Sequence, residues 1–248
     1  MAWEKLEQQQ DNGRLMVAVW GEPKTGKTSF ALSFPDPIYF FNMDWGLEHH
    51  IDRLKAEGRE LYVANYLSVS PELTEAEAET MLMSFERDYA TALKKGQGTI
   101  VIDTSTQLWQ LVSKVFLDDI KKKRRDGQIY PFDYANANAY FQNLINQVKG
   151  NGMNMVLIQR AKEKYGPNGQ PTGTYEIQGN NQVPYLMQVV LHLVKEGTGV
   201  ATQHKGIIES CWQTSKVEGM ELVNPSYPSI SNLIHTMSET ERRVAVAA

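Results

Sequence analysis

Residues 15–30, LMVAVWGEPKTGKTSF, narrow the folding options of this chain more than any other stretch. An apolar, partly β-branched run stops at Gly21, four residues follow, and Gly26-Lys27-Thr28 opens a helix-compatible segment that Pro35 ends. Strand, glycine-bracketed loop and helix in direct succession form the local unit of a parallel α/β sheet, and the two glycines allow turns that a Cβ would hinder.

The same unit has a chemical reading. Loop amides and a helix N-terminus surround phosphates, a lysine reaches the outer ones, and a hydroxyl binds Mg²⁺. Gly21 and Gly26 make the tight turns, Lys27 is the phosphate lysine and Thr28 the metal hydroxyl, while Glu22, Pro23, Lys24, Thr25 and Ser29 complete the wall. A bound nucleotide is expected here.

Further apolar runs at Ile38–Met43, Leu61–Val63, Thr99–Ile102, Met153–Ile158 and Val189–Val194 read as buried strands separated by helical patterns. One helix is expected to open at Ser70-Pro71-Glu72, with Thr74 and Glu77 at capping-box spacing and Leu82, Phe85, Tyr89 and Leu93 on one stripe. A second follows Asp103, with Leu108, Leu111, Val112 and Val115 inward, and a third covers 135–149. The Gly- and Pro-rich stretch YGPNGQPTGTYEIQGNNQ reads as a loop or mobile hairpin, and GVATQHKGIIESCWQTS as an antiparallel hairpin addition. These elements predict one α/β domain over 14–237, an N-terminal extension at 1–13 and a flexible tail at 238–248.

Composition sets outer bounds. With a net charge of -4 the chain is no wholly basic nucleic-acid coat, and with Cys211 as its single cysteine it has no disulfide framework and no Cys-based zinc site of its own. No apolar run reaches the roughly 20 residues of a membrane span, and the polar start MAWEKLEQQQ lacks a signal-peptide centre, so a cytosolic protein is expected.

A phosphate cradle needs a second acid for the hydrated metal, and Asp103, directly after TIVI, is the candidate. Lys27 and Asp103 are expected to meet from the tips of adjacent strands. Water must also be oriented or deprotonated, and two residues are open for that: Asp44, after IYFFNM, and Glu48, one helical turn on. Gln159 stands where a strand leaves the carboxyl edge of the sheet and could contact a terminal phosphate. His49 and His50 are neighbours that point apart on a helix, and read as surface residues.

Four stretches carry a family resemblance: WGEPKTGKTSFALSFPDPIYFFNMDWGLEH, GTIVIDTSTQLW, PFDYANANAYFQNLINQVKGNGMNMVLIQRAKEKY and NPSYPSISNLI. Spanning most of 14–235, they resemble the small single-domain RecA-superfamily ATPases of phages, an AAA-type group that includes single-strand-annealing-protein ATPases. The resemblance implies a RecA-like P-loop NTPase core, a mostly parallel sheet with helices on both faces and a C-terminal antiparallel hairpin. It implies Mg²⁺-dependent ATP hydrolysis and single-stranded DNA handling in phage recombination or replication, in the cytoplasm of a bacterial host. Gln159 matches the strand-end γ-phosphate sensor, and Asp44 lies where such proteins usually place a glutamate. Lys216, in CWQTSKVEG, falls where they can supply a basic finger to a neighbour's nucleotide. A head-to-tail homo-oligomer with nucleotide between subunits is implied, with a single-strand-binding or replication protein as a further partner.

RecA-like proteins grip single strands with two loops. The first corresponds here to Lys121, Lys122, Lys123, Arg124 and Arg125, followed by Tyr130, Phe132 and Tyr134; the second to Arg160, Lys162, Lys164 and Tyr165. Cations interleaved with aromatics suit a phosphate track with stacking platforms, although a lysine-rich helix end also complements the helix dipole. Two other classes stay open: a nucleotide-gated loader or mediator with little turnover, and a small P-loop kinase. The kinase class usually carries an arginine-rich lid, whereas the loop after Gln159 offers only Arg160.

Overall fold

The computed structural model describes residues 13–247, except 68, 70, 71 and 198. Ser70, Pro71 and nearly all of the 1–13 extension therefore lie outside the described residues. Six strands run parallel: β1 (Met16–Gly21), β2 (Ile38–Asn42), β3 (Leu61–Asn65), β4 (Thr99–Asp103), β5 (Asn154–Tyr165) and β7 (Val189–Glu196). Their lateral order is β3-β2-β4-β5-β1-β7, extended by antiparallel β8 (Gln203–Cys211) and β9 (Glu221–Val223). The outer half of β5 leaves the parallel array and pairs antiparallel with β6 (Pro171–Gln178).

Every residue of β1, β2 and β4 is buried, as continuous apolar runs covered on both faces require. Side-chain alternation divides them between two cores. Met16, Ala18, Ile100, Ile102, Met155 and Leu157 pack beneath α3 (Glu75–Leu93), α4 (Ser105–Lys123) and α5 (Ala135–Asn151). Val17, Val19, Phe40, Val101, Val156 and Ile158 face the other way, toward α1 (Lys27–Ala31), α2 (Ile51–Ala56) and α7 (Tyr227–Ala247). The remaining helix, α6 (Val183–Leu186), is a single turn before β7. The α3 stripe is buried as its spacing predicts, and Thr74 and Glu77 close a reciprocal capping box that starts the helix at Glu75.

One expectation needs correction. β1 and β4 are not adjacent, because β5 lies between them; order along the chain does not dictate order across a sheet. The Gly-rich stretch after Gln159 takes the hairpin of its two readings, since Thr172, Thr174, Tyr175 and Ile177 are good strand formers and the Gly166 amide closes the turn on Gln170 O at 2.8 Å. Residues 238–247, expected as a flexible tail, continue α7: no Gly or Pro follows Pro228, and Ile230 and Ile234 anchor the first half of the helix in the core.

Candidate functional site

The carboxyl ends of β1, β2, β4 and β5 open onto a cleft of about 590 Å³, and the loop 21–28 forms its floor. Gly21 sits at φ 152°, where a Cβ would fall 2.2 Å from the Leu193 carbonyl oxygen, so β7 approaches too closely for any other residue. Gly26, at φ 90°, turns the chain into α1. Lys27 Nζ donates to Gly21 O at 2.9 Å and Glu22 O at 2.6 Å, which arches the lysine across the loop. Burial pushes its ammonium down to about 8, against the pull of Asp103 and Asp44.

Thr28 Oγ1 donates to Asp103 Oδ2 at 2.8 Å, closing the cleft between α1 and the tip of β4. Asp103 is 3% exposed, and burial raises its carboxyl to about 6, with the Thr28 hydrogen bond opposing that rise. Beside this pair stands Gly46, where a Cβ would lie 3.0 Å from Thr28 Oγ1 and 3.7 Å from Asp103 Oδ2. A hydroxyl and one carboxylate, next to space that only a glycine leaves open, are hard oxygen donors of the kind Mg²⁺ takes together with phosphates. Among the described residues no group of three or more His, Cys, Asp or Glu could hold a metal ion. Thr104 also caps α4, accepting from the Gln107 amide at 3.3 Å, so the β4 end serves the cleft and the helix together.

Asp44 reaches the cleft, and its Oδ2 accepts from Arg160 Nη2 at 2.9 Å. Glu48 does not. Residues 44–47 form a turn flanked by bends and no helix, so Glu48 heads an exposed 3-10 turn (Glu48–His50) facing a separate hollow with Lys55 and Arg59. His49 is exposed and His50 half-buried, in keeping with their reading as surface residues, and both line the cleft; burial lowers the His50 pKa.

Gln159 and Arg160 exchange places relative to expectation. Period-2 alternation puts Gln159 on the Met155–Leu157 side, fully buried near Thr106 and Gly179, with neither amide atom hydrogen-bonded among the described residues. It does not line the cleft, whereas Arg160 does. Lys216, in a 3-10 turn (Ser215–Val217) beyond β8, does not line it either.

Most of the expected cationic track is paired. Lys122 bonds Glu75, Lys123 bonds Asp119, Lys162 meets Glu176 at 3.0 Å, and Arg124 grips buried Asp133 through two hydrogen bonds of 2.5 and 3.0 Å. Lys121, Arg125 and Lys164 are exposed and make no ion pair among the described residues. Lys121–Lys123 belong to the last turn of α4 rather than to a loop. Arg124 also supports an exposed aromatic pair: the Tyr130 and Phe132 rings are parallel within 1° and 5.8 Å apart, with the guanidinium 4.9 Å from the first and 5.6 Å from the second. Phe132 is 71% exposed.

Sequence reasoning missed Gly46 and His204. The His204 ring, on β8, sits 3.3 Å from where a Gly26 Cβ would be, and its Nδ1 is buried without a hydrogen-bond partner among the described residues. The antiparallel return of β8 onto β7 carries it there, 178 positions beyond Gly26, and no local pattern marks it. For Gly46 a weak signal existed in Asp44-Trp45-Gly46, a turn directly after a buried strand.

A family model described as AAA domain matches residues 14–220, which takes in the cradle, Asp44, Asp103 and Arg160. The chain belongs to the AAA domain family. As an AAA domain it is a P-loop ATPase by family, which agrees with the loop, hydroxyl and carboxylate assembled above. Comparison with curated proteins gave no match. Among solved structures, the AAA domain is similar to a KaiC-like protein from the hyperthermophilic archaeon Pyrococcus horikoshii OT3, with 13% identity and a TM-score of 0.44, covering 85% of this chain and 89% of that one. Among the described residues no helix is long and apolar enough to cross a membrane.

Proposed function

We propose that this AAA domain binds and hydrolyses ATP with Mg²⁺, and that single-stranded DNA acts on the reaction. The observation that carries the first half is the 2.8 Å contact between Thr28 and Asp103 at the lip of the phosphate loop. Mg²⁺, held by Thr28, Asp103 and the phosphates, would neutralise charge on the outer phosphates. Around it, loop amides and Lys27 hold the phosphate chain, and Asp44 is the carboxylate on hand to orient or deprotonate water. Its shorter reach, compared with a glutamate, favours slow turnover.

The second half rests on the exposed Tyr130–Phe132 pair, the β5–β6 hairpin tipped by Tyr165, and the cations Lys121, Arg125 and Lys164. Aromatic faces beside cations suit unpaired bases on a phosphate backbone. On this reading the protein works as a head-to-tail oligomer in phage recombination or replication, inside a bacterial host, with Lys216 facing a neighbour's nucleotide. The engaged Asp44–Arg160 pair also favours a second reading, a nucleotide-gated loader or mediator that turns over rarely.

ATP turnover measured with and without single-stranded DNA separates these. Stimulated hydrolysis supports the first reading, and tight Mg·ATP binding with no stimulated turnover supports the second. Phosphate transfer to a small acceptor would return the assignment to the kinase class.

A further inference from the structure

Arg160 and Asp44 come together across the cleft from positions 116 residues apart, and their contact is solvent-accessible, with side chains 40% and 39% exposed. An ion pair this exposed adds little to the stability of the fold. It nevertheless occupies two charges that act directly on Lys27 and Asp103, the groups at the phosphate end of the cleft. The Arg160 backbone is fixed: its amide donates to Thr106 Oγ1 at 3.0 Å, and the residue pairs with Gln178 across the β5–β6 ladder. Its guanidinium, at the end of a long side chain, can change partner without moving the strand. A terminal phosphate offers the same fork of oxygens as a carboxylate, with more charge.

Resting on the ATPase reading above, the geometry points to Arg160 as a latch with two alternative acceptors, the Asp44 carboxylate seen here and the terminal phosphate of a triphosphate. A diphosphate ends one phosphate short and leaves the Arg160–Asp44 pair closed. A triphosphate takes the guanidinium, and Asp44 is released to face water. Arg160 is thus a positioning residue: it withholds Asp44 until the third phosphate is in place, and selects triphosphate over diphosphate by doing so. The strand that carries the latch also carries the exposed hairpin, so whatever grips the hairpin lies one continuous element away from it.

The test compares affinities for Mg²⁺ complexes of a non-hydrolysable ATP analogue and of ADP. It uses the full chain, Arg160→Ala, Arg160→Lys, Asp44→Asn and the double variant Arg160→Ala/Asp44→Asn. Removing Arg160 is expected to cut the triphosphate-over-diphosphate preference about tenfold, the size of one charge-assisted hydrogen bond, and lysine to restore part of it. Asp44→Asn, by removing the competing acceptor, raises the preference, but only while Arg160 is present. An equal rise with and without Arg160 would mean simple charge repulsion by Asp44 and overturns the latch. So does an unchanged preference in Arg160→Ala. Complete failure of the unsubstituted chain to bind either Mg²⁺–nucleotide complex overturns the ATPase reading and the latch together, whereas intact binding with an unmoved preference removes the latch alone. Arg160→Lys and Asp44→Asn nearly keep shape and carry the test should Arg160→Ala lose the cleft.

Discussion

The nucleotide cleft and the cationic rim are built on opposite principles. In the cleft, half-buried Lys27 and buried Asp103 are held by a few specific hydrogen bonds. On the rim, four of the seven expected cations outside the cleft are already neutralised by the protein's own carboxylates, and the exposed apolar surface includes Tyr130, Phe132 and Tyr165. A buried charge with few partners is committed to a ligand, because only a ligand offsets its desolvation. A surface charge with a partner is uncommitted and contributes mainly through long-range attraction. The two regions should therefore respond to substitution on different scales.

The sharpest break of this comparison lies at Lys27. Lys27→Ala is expected to lower ATP turnover about 100- to 1,000-fold, as loss of a fixed charge on a developing anion does, with little change in melting temperature. Turnover within a few-fold of the parent would place catalysis elsewhere. Next in size is Gly21→Ala, which drives a Cβ against the Leu193 carbonyl and should cost roughly 3 kcal/mol, seen as a loss of roughly 6–12 °C in Tm. Unchanged melting would mean β7 yields easily.

A third prediction concerns pH. Burial holds the Asp103 carboxyl at about 6, above its ordinary 3.8, so its stabilising share is whole at low pH and is lost as pH rises through 6. Lys27 is held at about 8, below its ordinary 10.5, so its share is whole at high pH and is lost as pH falls through 8. Between these values both groups are charged against their burial. Asp103→Asn should then stabilise the Mg²⁺- and nucleotide-free protein by about 2 kcal/mol at pH 7.5 while abolishing Mg²⁺-dependent turnover, and the gain should fade toward pH 4 in a series of thermal melts. The smallest effect is expected on the rim. Neutralising Lys121 and Arg125 together should weaken single-stranded DNA binding several-fold and flatten the salt slope by about 1.4, more than neutralising the paired Lys122 and Lys123. Equal losses from both pairs would show that existing ion pairs open freely on the rim.

How legible was all this in the residues alone? What is local in sequence read well. The cradle, the strand-end Asp103, the fully buried strands and the Thr74–Glu77 capping box each depend on neighbours a few positions apart. What depends on lateral order or on the parity of a strand did not. Nothing local says that β5 inserts between β1 and β4, and a one-residue difference in parity decides whether Gln159 or Arg160 enters the cleft. Glu48 was misplaced because a turn flanked by bends, and not a helix, follows Asp44. His204 was invisible because a distant hairpin delivers it.

One feature of the sheet reaches further than its role in packing. β5 runs unbroken for 12 residues, roughly 40 Å, clamped between two parallel neighbours at its inner end and paired only with β6 at its outer end. Such a beam is gripped in the core and cantilevered into solvent, and its pairing with β6 shifts register only near the tip, between Glu163 and Tyr165. The root is where Gln159 and Arg160 stand. The hairpin tip and the cleft residue Arg160 thus share one strand, with no loop between them.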